Sequence, residues 1–250
     1  MEIRIIGIHF EPEVKKGDNL TEIFLDALKE ADLSLEDKDI IVFTSKIISK
    51  SQGRVLDLSG VKVTKKAVEL ADKTKKDKRV VQLILDESNE IIKVGCDFII
   101  TEVKQGFVCA NAGIDESNVA EEKAVLLPDS PQRSANSLRR KIEMITGKKV
   151  AVLISDSVGR AFRDGIVGTC IGVSGLVPVF DRRGELDRFD KVASITKVAI
   201  ADEVCAASNL VMGEFREGVP IALVRGLKFD ETEAADSKDL VFSKKDDVFR

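Results

Sequence analysis

The chain contains no tryptophan and no tyrosine, so its 12 phenylalanines are the only aromatic groups. Any stacking platform has to come from them. There is one histidine, His9. A Ser-His-Asp or Cys-His triad would have to be built on it, and nothing around it marks a base. The four cysteines, Cys96, Cys109, Cys170 and Cys205, lie far apart with no CxxC spacing. Neither a zinc site nor a redox pair is indicated, and reduced, buried thiols in a cytoplasmic protein are expected. A basic excess is also missing, the formal net charge being -4. That argues against a primary nucleic-acid binder. No run of 18 apolar residues occurs, which excludes a membrane-spanning helix. The opening Met1–Ile8 carries charges inside its apolar run and reads as a strand, not a signal peptide. No GxxxxGK[ST] or GxGxxG stands at a strand–helix junction, and no internal repeat is present. If the chain handles a nucleotide, it does so in another way.

What is there suits one large domain or two small ones: 250 residues, 44% hydrophobic and 33% charged. Residues 2–8 alternate as a strand does. Asp18 or Asn19 can cap a helix with the stripe Leu20, Ile23, Phe24, Ala27 and Leu28. Asp39–Phe43 reads as a buried strand. Lys65–Glu87 reads as one or two helices broken near Lys73–Lys78, whose mixed charges suit a solvated connector. Ile91–Thr101 suggests strands around Gly95-Cys96-Asp97. Ser130 and Pro131 mark a helix start, with Ala135, Leu138, Ile142 and Ile145 as its apolar face and Gly147 as its stop. Arg139 and Arg140 on that helix read as solvated. Lys149–Ile154 is strongly β-forming, Val167–Phe180 reads as paired strands, and Asp181–Glu185 as a turn. Lys197–Val211 reads as a helix packing Val198, Ala201, Val204, Cys205 and Ala207 inward. Ile221–Val224 is a further strand, and the last twenty residues read as a charged arm.

Three stretches carry candidate chemistry. Gly106–Asn118 starts apolar and turns abruptly into Asn111, Gly113, Asp115, Ser117 and Asn118, all turn formers. One tight turn would point Asp115 and Asn118 the same way, suiting a metal and a phosphate oxygen. A solvated loop closed by an Asx turn is the alternative. Thr44–Lys50 places hydroxyls and lysines at a strand's end, as an anion site does. The alternative there is an ordinary helix start. Ser155–Arg160 repeats the pattern of a buried strand ending in Asp, a hydroxyl and Gly. Two such ends side by side would bring Asp115 and Asp156 together, and a divalent cation would relieve their repulsion. Arg160 and Arg163 suit bidentate recognition of phosphate or carboxylate.

Together these stretches resemble the coenzyme F420-0:L-glutamate ligase family. The matching segments are Ser45–Arg54, Gly106–Val119, Leu126–Asp129 with Ser134-Ala135, Ser155–Arg163, Ile171–Arg183 with Asp187, Ala199–Gly213 and Pro220–Gly226. They follow the family's order over most of the chain. The resemblance implies an α+β fold unlike the P-loop folds, with residues 1–250 as one unit of two intimately packed lobes, and an intertwined homodimer. It implies a cytoplasmic ligase that uses GTP, with Mn2+ or Mg2+ at two divalent sites and K+ as a further ion, to add L-glutamate to F420-0 and F420-1 through γ-glutamyl bonds. Nucleic acid and membrane are not partners. By resemblance Asp115 and Asp156 hold the first divalent ion, and Ser157 and Glu214 sit at the second. Asp115, Asp156 and Arg160 are the catalytic set. The nucleotide contacts are Glu11, Pro12, Glu13, Val14, Ser45, Lys46, Lys50, Asn118, and the loop Met212, Gly213, Glu214, Phe215, Arg216, Glu217, Gly218 and Val219.

Departures from the family pattern are specific. Ser157 stands where Thr is common, and Glu214 where Gln occurs. Lys104-Gln105 replaces Pro-His, and Ala161-Phe162 replaces Pro-Trp; these two bear on the acceptor more than on the chemistry. The implied mechanism activates the acceptor's carboxylate as an acyl phosphate, which the amine of glutamate then attacks. Two alternatives stand beside it: a γ-glutamyl ligase for another acceptor such as folate, and a non-catalytic nucleotide-binding homologue. For Glu214 the alternative is a solvent-facing side chain paired with Arg216.

Overall fold

A computed structural model of the chain describes residues 2–10 and 12–249. Its strands are β1 (Arg4–Ile8), β2 (Ile40–Thr44), β3 (Val55–Asp57), β4 (Ser88–Val94), β5 (Ile99–Val103), β6 (Val108–Ala110), β7 (Lys123–Val125), β8 (Ala151–Arg160), β9 (Arg163–Leu176), β10 (Phe180–Asp181), β11 (Lys197–Val198), β12 (Ile221–Arg225) and β13 (Glu231–Thr232). Its α-helices are α1 (Leu20–Glu30), α2 (Ser45–Ser51), α3 (Lys65–Thr74), α4 (Lys78–Glu87), α5 (Pro131–Thr146) and α6 (Ile200–Met212). The class is α+β.

A six-stranded sheet in the order β1-β12-β2-β8-β9-β13 forms the frame. Only β2 and β8 are parallel; the other neighbours are antiparallel. Side chains alternate across a strand, so the unbroken apolar run of β2 needs a core on each face. Ile41 and Phe43 join one cluster with Val152, Ile154 and Phe24 of α1. Ile40 and Val42 join the other with Leu153 and, from α6, Val204 and Cys205. The rings of Phe24 and Phe43 meet edge to face at 5.7 Å.

Local signals set the helix ends. The Asn19 side chain accepts the Thr21 N–H, and the Ser130 hydroxyl accepts that of Arg133, with Pro131 in the first turn of α5. Gly147, at φ 69°, ends α5 in the left-handed region that favours glycine. Lys75, at φ 55°, separates α3 from α4. The three-stranded sheet β4-β5-β6 meets α4, which in turn packs on α3. Its Ile99 and Val103, with Val81 and Ile84 of α4, belong to the same apolar cluster as Ile41 and Phe43.

Several expectations need correction. Val167–Phe180 is not a strand pair; β9 is one strand of 14 residues paired along β8. A two-residue turn at Ala161-Phe162 makes β8 and β9 one long hairpin, and pairing with β8 keeps the run in a single strand. The final twenty residues are no loose arm throughout, since β13 pairs with β9 and Ala235 is buried. Arg139 is buried and ion-paired with Glu143 and Glu233, whereas Ile145 is exposed. Cys96 is exposed, while the other three thiols are buried and free. Lys197–Val198 form strand β11 before α6 begins. Among the described residues no helix is long and apolar enough to cross a membrane.

Candidate active site

Because β2 and β8 run parallel, their C-terminal ends face the same edge, with Thr44 level with Ser155. The next residues along each chain are Ser45 and Asp156, and the Ser45 hydroxyl donates to Asp156 Oδ1 at 2.5 Å. There β2 gives way to α2, which leaves a crevice of the kind that binds ligands in α/β sheets. β8 does not end at Ile154. It stays paired with β9 as far as Arg160, through a register shift between Ile154 and Ser155. Such a bulge re-aims the side chains beyond it, and here those are Asp156 and Ser157.

The Gly106–Asn118 stretch folds over this edge. Backbone bonds in both directions between Asp115 and Val125 fix the Asp115 main chain. The Asp115 carboxylate accepts the Ser117 N–H at 2.7 Å and its hydroxyl at 3.0 Å, so the expected Asx turn is present. It nevertheless faces the cleft, where Lys46 Nζ lies 2.6 Å from its Oδ2. Lys50 reaches Glu13 at 3.0 Å and the Asn118 carbonyl at 3.0 Å. On the opposite wall the Ser157 hydroxyl donates to Glu214 Oε1 at 2.6 Å, and Asn209 Nδ2 donates to the same oxygen at 2.8 Å. Glu214 therefore faces inward and does not pair with Arg216.

These groups line one cleft of about 980 Å³. Pro12, Glu13, Val14, Ser45, Lys46, Lys50, Asp115, Asn118, Asp156, Ser157 and the whole loop Met212–Val219 all contribute to its wall. Glu11 lies outside the described residues. Arg160 is not brought there; at the tip of the β8–β9 hairpin it donates to the Asp164 carbonyl at 3.2 Å. Ser117 and Asn209 were missed as site residues. Ser117 was legible in the turn chemistry. Asn209 sits on a helix read only for its apolar stripe.

Electrostatics separate the two central carboxyl groups. Burial pushes Asp156 up, the charges of Asp115 and Glu214 push the same way against the Ser45 hydrogen bond, and its pKa reaches about 6. Burial acts on Asp115 too, but the hydrogen bonds from Lys46 and Ser117 outweigh it and hold that carboxyl below its usual range. The Lys50 hydrogen bond likewise lowers Glu13. Three carboxylates, Asp115, Asp156 and Glu214, line this one cleft and favour a cation among them, and every donor atom is a hard oxygen, as Mg2+ and Mn2+ prefer. Among the described residues no three acidic, His or Cys side chains close into a ready metal cage. The donor set fits an ion that keeps some of its ligands from water or substrate phosphates.

A family model described as F420-0:Gamma-glutamyl ligase matches residues 8–226. The chain is 47% identical over 251 residues to a protein of Methanocaldococcus jannaschii named coenzyme F420:L-glutamate ligase, covering 100% of this chain and 97% of that one. Its identity to the protein of the same name from Methanothermobacter thermautotrophicus is 44%, covering 100% of both chains. To that from Archaeoglobus fulgidus it is 37%, covering 100% of this chain and 97% of the other.

Proposed function

This chain belongs to the F420-0:gamma-glutamyl ligase family, and we propose that the strand-end cleft is where its reaction takes place. The protein is a ligase that adds L-glutamate to coenzyme F420 through a γ-glutamyl bond. The finer reading is that F420-0 and F420-1 are the acceptors and that GTP supplies the energy. One observation carries it: Asp115 and Asp156, from distant segments, share a wall with Lys46 and Lys50.

In the first step a carboxylate oxygen of the acceptor attacks the γ-phosphorus of GTP. A P–O bond forms, the bond to the β-phosphate oxygen breaks, and GDP leaves. The amine of glutamate then attacks the acyl carbon. The C–N bond forms, the C–O bond to phosphate breaks, and the amine sheds a proton. Lys46 and Lys50 present cations to the phosphates and can exchange their present partners for them. Asp115 and Asp156 would hold one divalent ion, and Ser157 and Glu214 a second, with K+ as a further ion. Bound Mn2+ or Mg2+ offsets charge on the transferring phosphoryl group. The loops Pro12–Val14 and Met212–Val219 flank the nucleotide. The backbone N–H of Phe10, just after β1, bonds to the Gly218 carbonyl, and that of Thr44 to the Pro220 carbonyl, which anchors the second loop to β1 and β2.

A homodimer is part of the proposal, as the family resemblance implies, and the chain carries exposed apolar side chains that a second copy would bury. Phe162 is 92%, Phe189 88% and Ile195 85% exposed. They lie on the β8–β9 hairpin and on the segment between β10 and β11, where the proposed second copy would cover them; single exposed apolar residues are ordinary on a monomer, so the dimer rests on the family resemblance. A cytoplasmic setting suits free thiols and a nucleotide substrate.

The deciding experiment is mass spectrometry of the products of F420-0, GTP, Mn2+ and glutamate. The expected result is F420 carrying one or more added glutamates, with GDP and phosphate. Absence of GDP would remove GTP from the reading. Two further outcomes are expected. GTP with Mn2+ raises Tm, because saturation at about 100 times Kd adds about 2.7 kcal/mol, at roughly 2–4 °C per kcal/mol for a chain of this size. A flat Tm at millimolar GTP would count against a nucleotide site. Glu214→Gln raises the half-saturating Mn2+ concentration of the rate by about tenfold, the lower end of what altered metal surroundings cost. An unchanged Mn2+ dependence would take Glu214 out of the metal set.

A further inference from the structure

α2 separates the strand-end cleft from a second one of about 750 Å³. The two share no lining residue: Lys46, Ser49 and Lys50 face the first, Ile48, Ser51 and Gln52 the second. The segments Ser51-Gln52, Asp129 and Ser134, which the ligase chemistry leaves without a role, meet in this second cleft. Gln52 ties its walls together, donating to Ser134 Oγ at 3.0 Å and accepting the Asp129 N–H at 3.0 Å.

Its chemistry points to an anion. The starts of α1 and α5, helices of 11 and 16 residues, both lie in its wall. Asn19 and Ser130 already take one N–H each at these starts, so what the helices offer a ligand is chiefly the positive end of the backbone dipole. Arg133, Ser137 and Lys141, spaced four apart along one face of α5, also line it. Among the described residues neither Arg133 nor Lys141 has a carboxylate partner. The acidic residues of the wall are already engaged: Asp18 accepts the Lys15 N–H at 2.7 Å, and Asp129 pairs with Arg54 at 3.2 Å. The second, independent observation is Thr21. It lines the cleft, is 1% exposed, and its hydroxyl has no hydrogen-bond partner. A buried hydroxyl without a partner is costly, and a ligand oxygen would satisfy it.

We infer that the cleft between α1, α2 and α5 is a second binding site, independent of the ligase reading, for a small ligand bearing an oxyanion, either a phosphate ester or a carboxylate. The cations of α5 neutralise the ligand, the two helix starts orient it, and the Thr21 hydroxyl donates to it.

The test is an amide-resolved NMR titration of the full chain with inorganic phosphate and, separately, with γ-glutamylglutamate. Saturable shifts at Thr21 and Ser134 are expected. A response to phosphate alone assigns the phosphate ester, and a response to the peptide alone assigns the carboxylate. In the double variant Arg133→Gln/Lys141→Gln the half-saturating concentration rises by about tenfold, as loss of charge-assisted bonds implies. Thr21→Val weakens binding as well, without lowering Tm. Because Arg133 and Lys141 are exposed, the double variant keeps the test valid even if Thr21→Val folds poorly. Shifts confined to Ser157 and Gly213, no shift with either anion, or unchanged affinity in the double variant would each overturn the proposal.

Discussion

Asp156→Asn is expected to lower turnover by about 10³-fold or more while the metal-free protein melts no lower than the wild type. A carboxylate that offsets phosphoryl charge through a cation cannot be replaced by a neutral amide, and losses of this size follow removal of single charge-stabilising groups. Stability moves the other way because of the local field. The folded-state pKa of Asp156 is about 6, above its ordinary value of 3.8. A raised carboxyl binds more protons folded than unfolded, so its penalty is fully present above about pH 6 and is relieved as pH falls towards 4. Metal-free wild type should therefore gain stability from pH 7 to pH 5, and Asp156→Asn should flatten that dependence. Asp115→Asn also abolishes turnover but melts lower. Its carboxyl is depressed, so its contribution is present above its unfolded pKa and fades as pH falls through the folded one. Turnover at low Mn2+ with Tm from pH 5 to 8 checks both variants. Near-normal rates would sink the shared-cation reading, and a lowered Tm for Asp156→Asn would sink the electrostatic account.

The second large effect is on the fold. Gly172 of β9 lies under the start of α5, where an added Cβ would come 2.6 Å from the Pro131 oxygen and 2.7 Å from its carbonyl carbon. Those are backbone atoms, so no rotamer change relieves the contact. The helix cannot lift away freely either. The Gln132 amide donates to the Val173 and Ala235 carbonyls at 2.6 and 3.0 Å and accepts the Ser237 N–H at 2.9 Å. Gly172→Ala should destabilise by about 3 kcal/mol, the upper part of the usual range for overpacking. Gly60→Ala, where a Cβ meets nothing within 4 Å, is the control and should be near neutral. Urea midpoints for the two variants settle it; equal midpoints would mean that α5 shifts without cost.

What could be read from the chain follows the range of each signal. Asn19, the Ser130-Pro131 pair and Gly147 act on their own helix ends, and those ends fall where expected. The apolar run Ile40–Phe43 announces a strand buried on both faces. Asp115 and Asp156 were legible because turn formers and a carboxylate at a β-run's end are local patterns. Long-range pairing was not legible. Nor was the β8–β9 hairpin, whose turn at Ala161-Phe162 lacks the Gly or Asn that usually marks one; it carries β8 on to Arg160, at the tip and outside the cleft lining. Glu233, 94 positions from Arg139, draws that arginine out of solvent. The inward turn of Glu214 depends on Asn209, five positions back on α6, and on Ser157, 57 positions away, which only the closed sheet brings near.

The position of β12 has a consequence for how the protein is made. β1 and β2 never touch as strands. β12 lies between them, with Val224 opposite Ile5 on one side and Leu223 opposite Ile41 on the other. A chain growing from its N-terminus can pair β2 with β8 once residues 151–155 emerge, but β1 and the other edge of β2 have no partner until residues 221–225 follow. Unpaired edges of this kind are sticky, and non-local pairing is slow. The nascent polypeptide thus passes most of its synthesis in an aggregation-prone form that a chaperone would have to shelter. Premature termination anywhere before Ile221 should yield insoluble fragments instead of a smaller working enzyme.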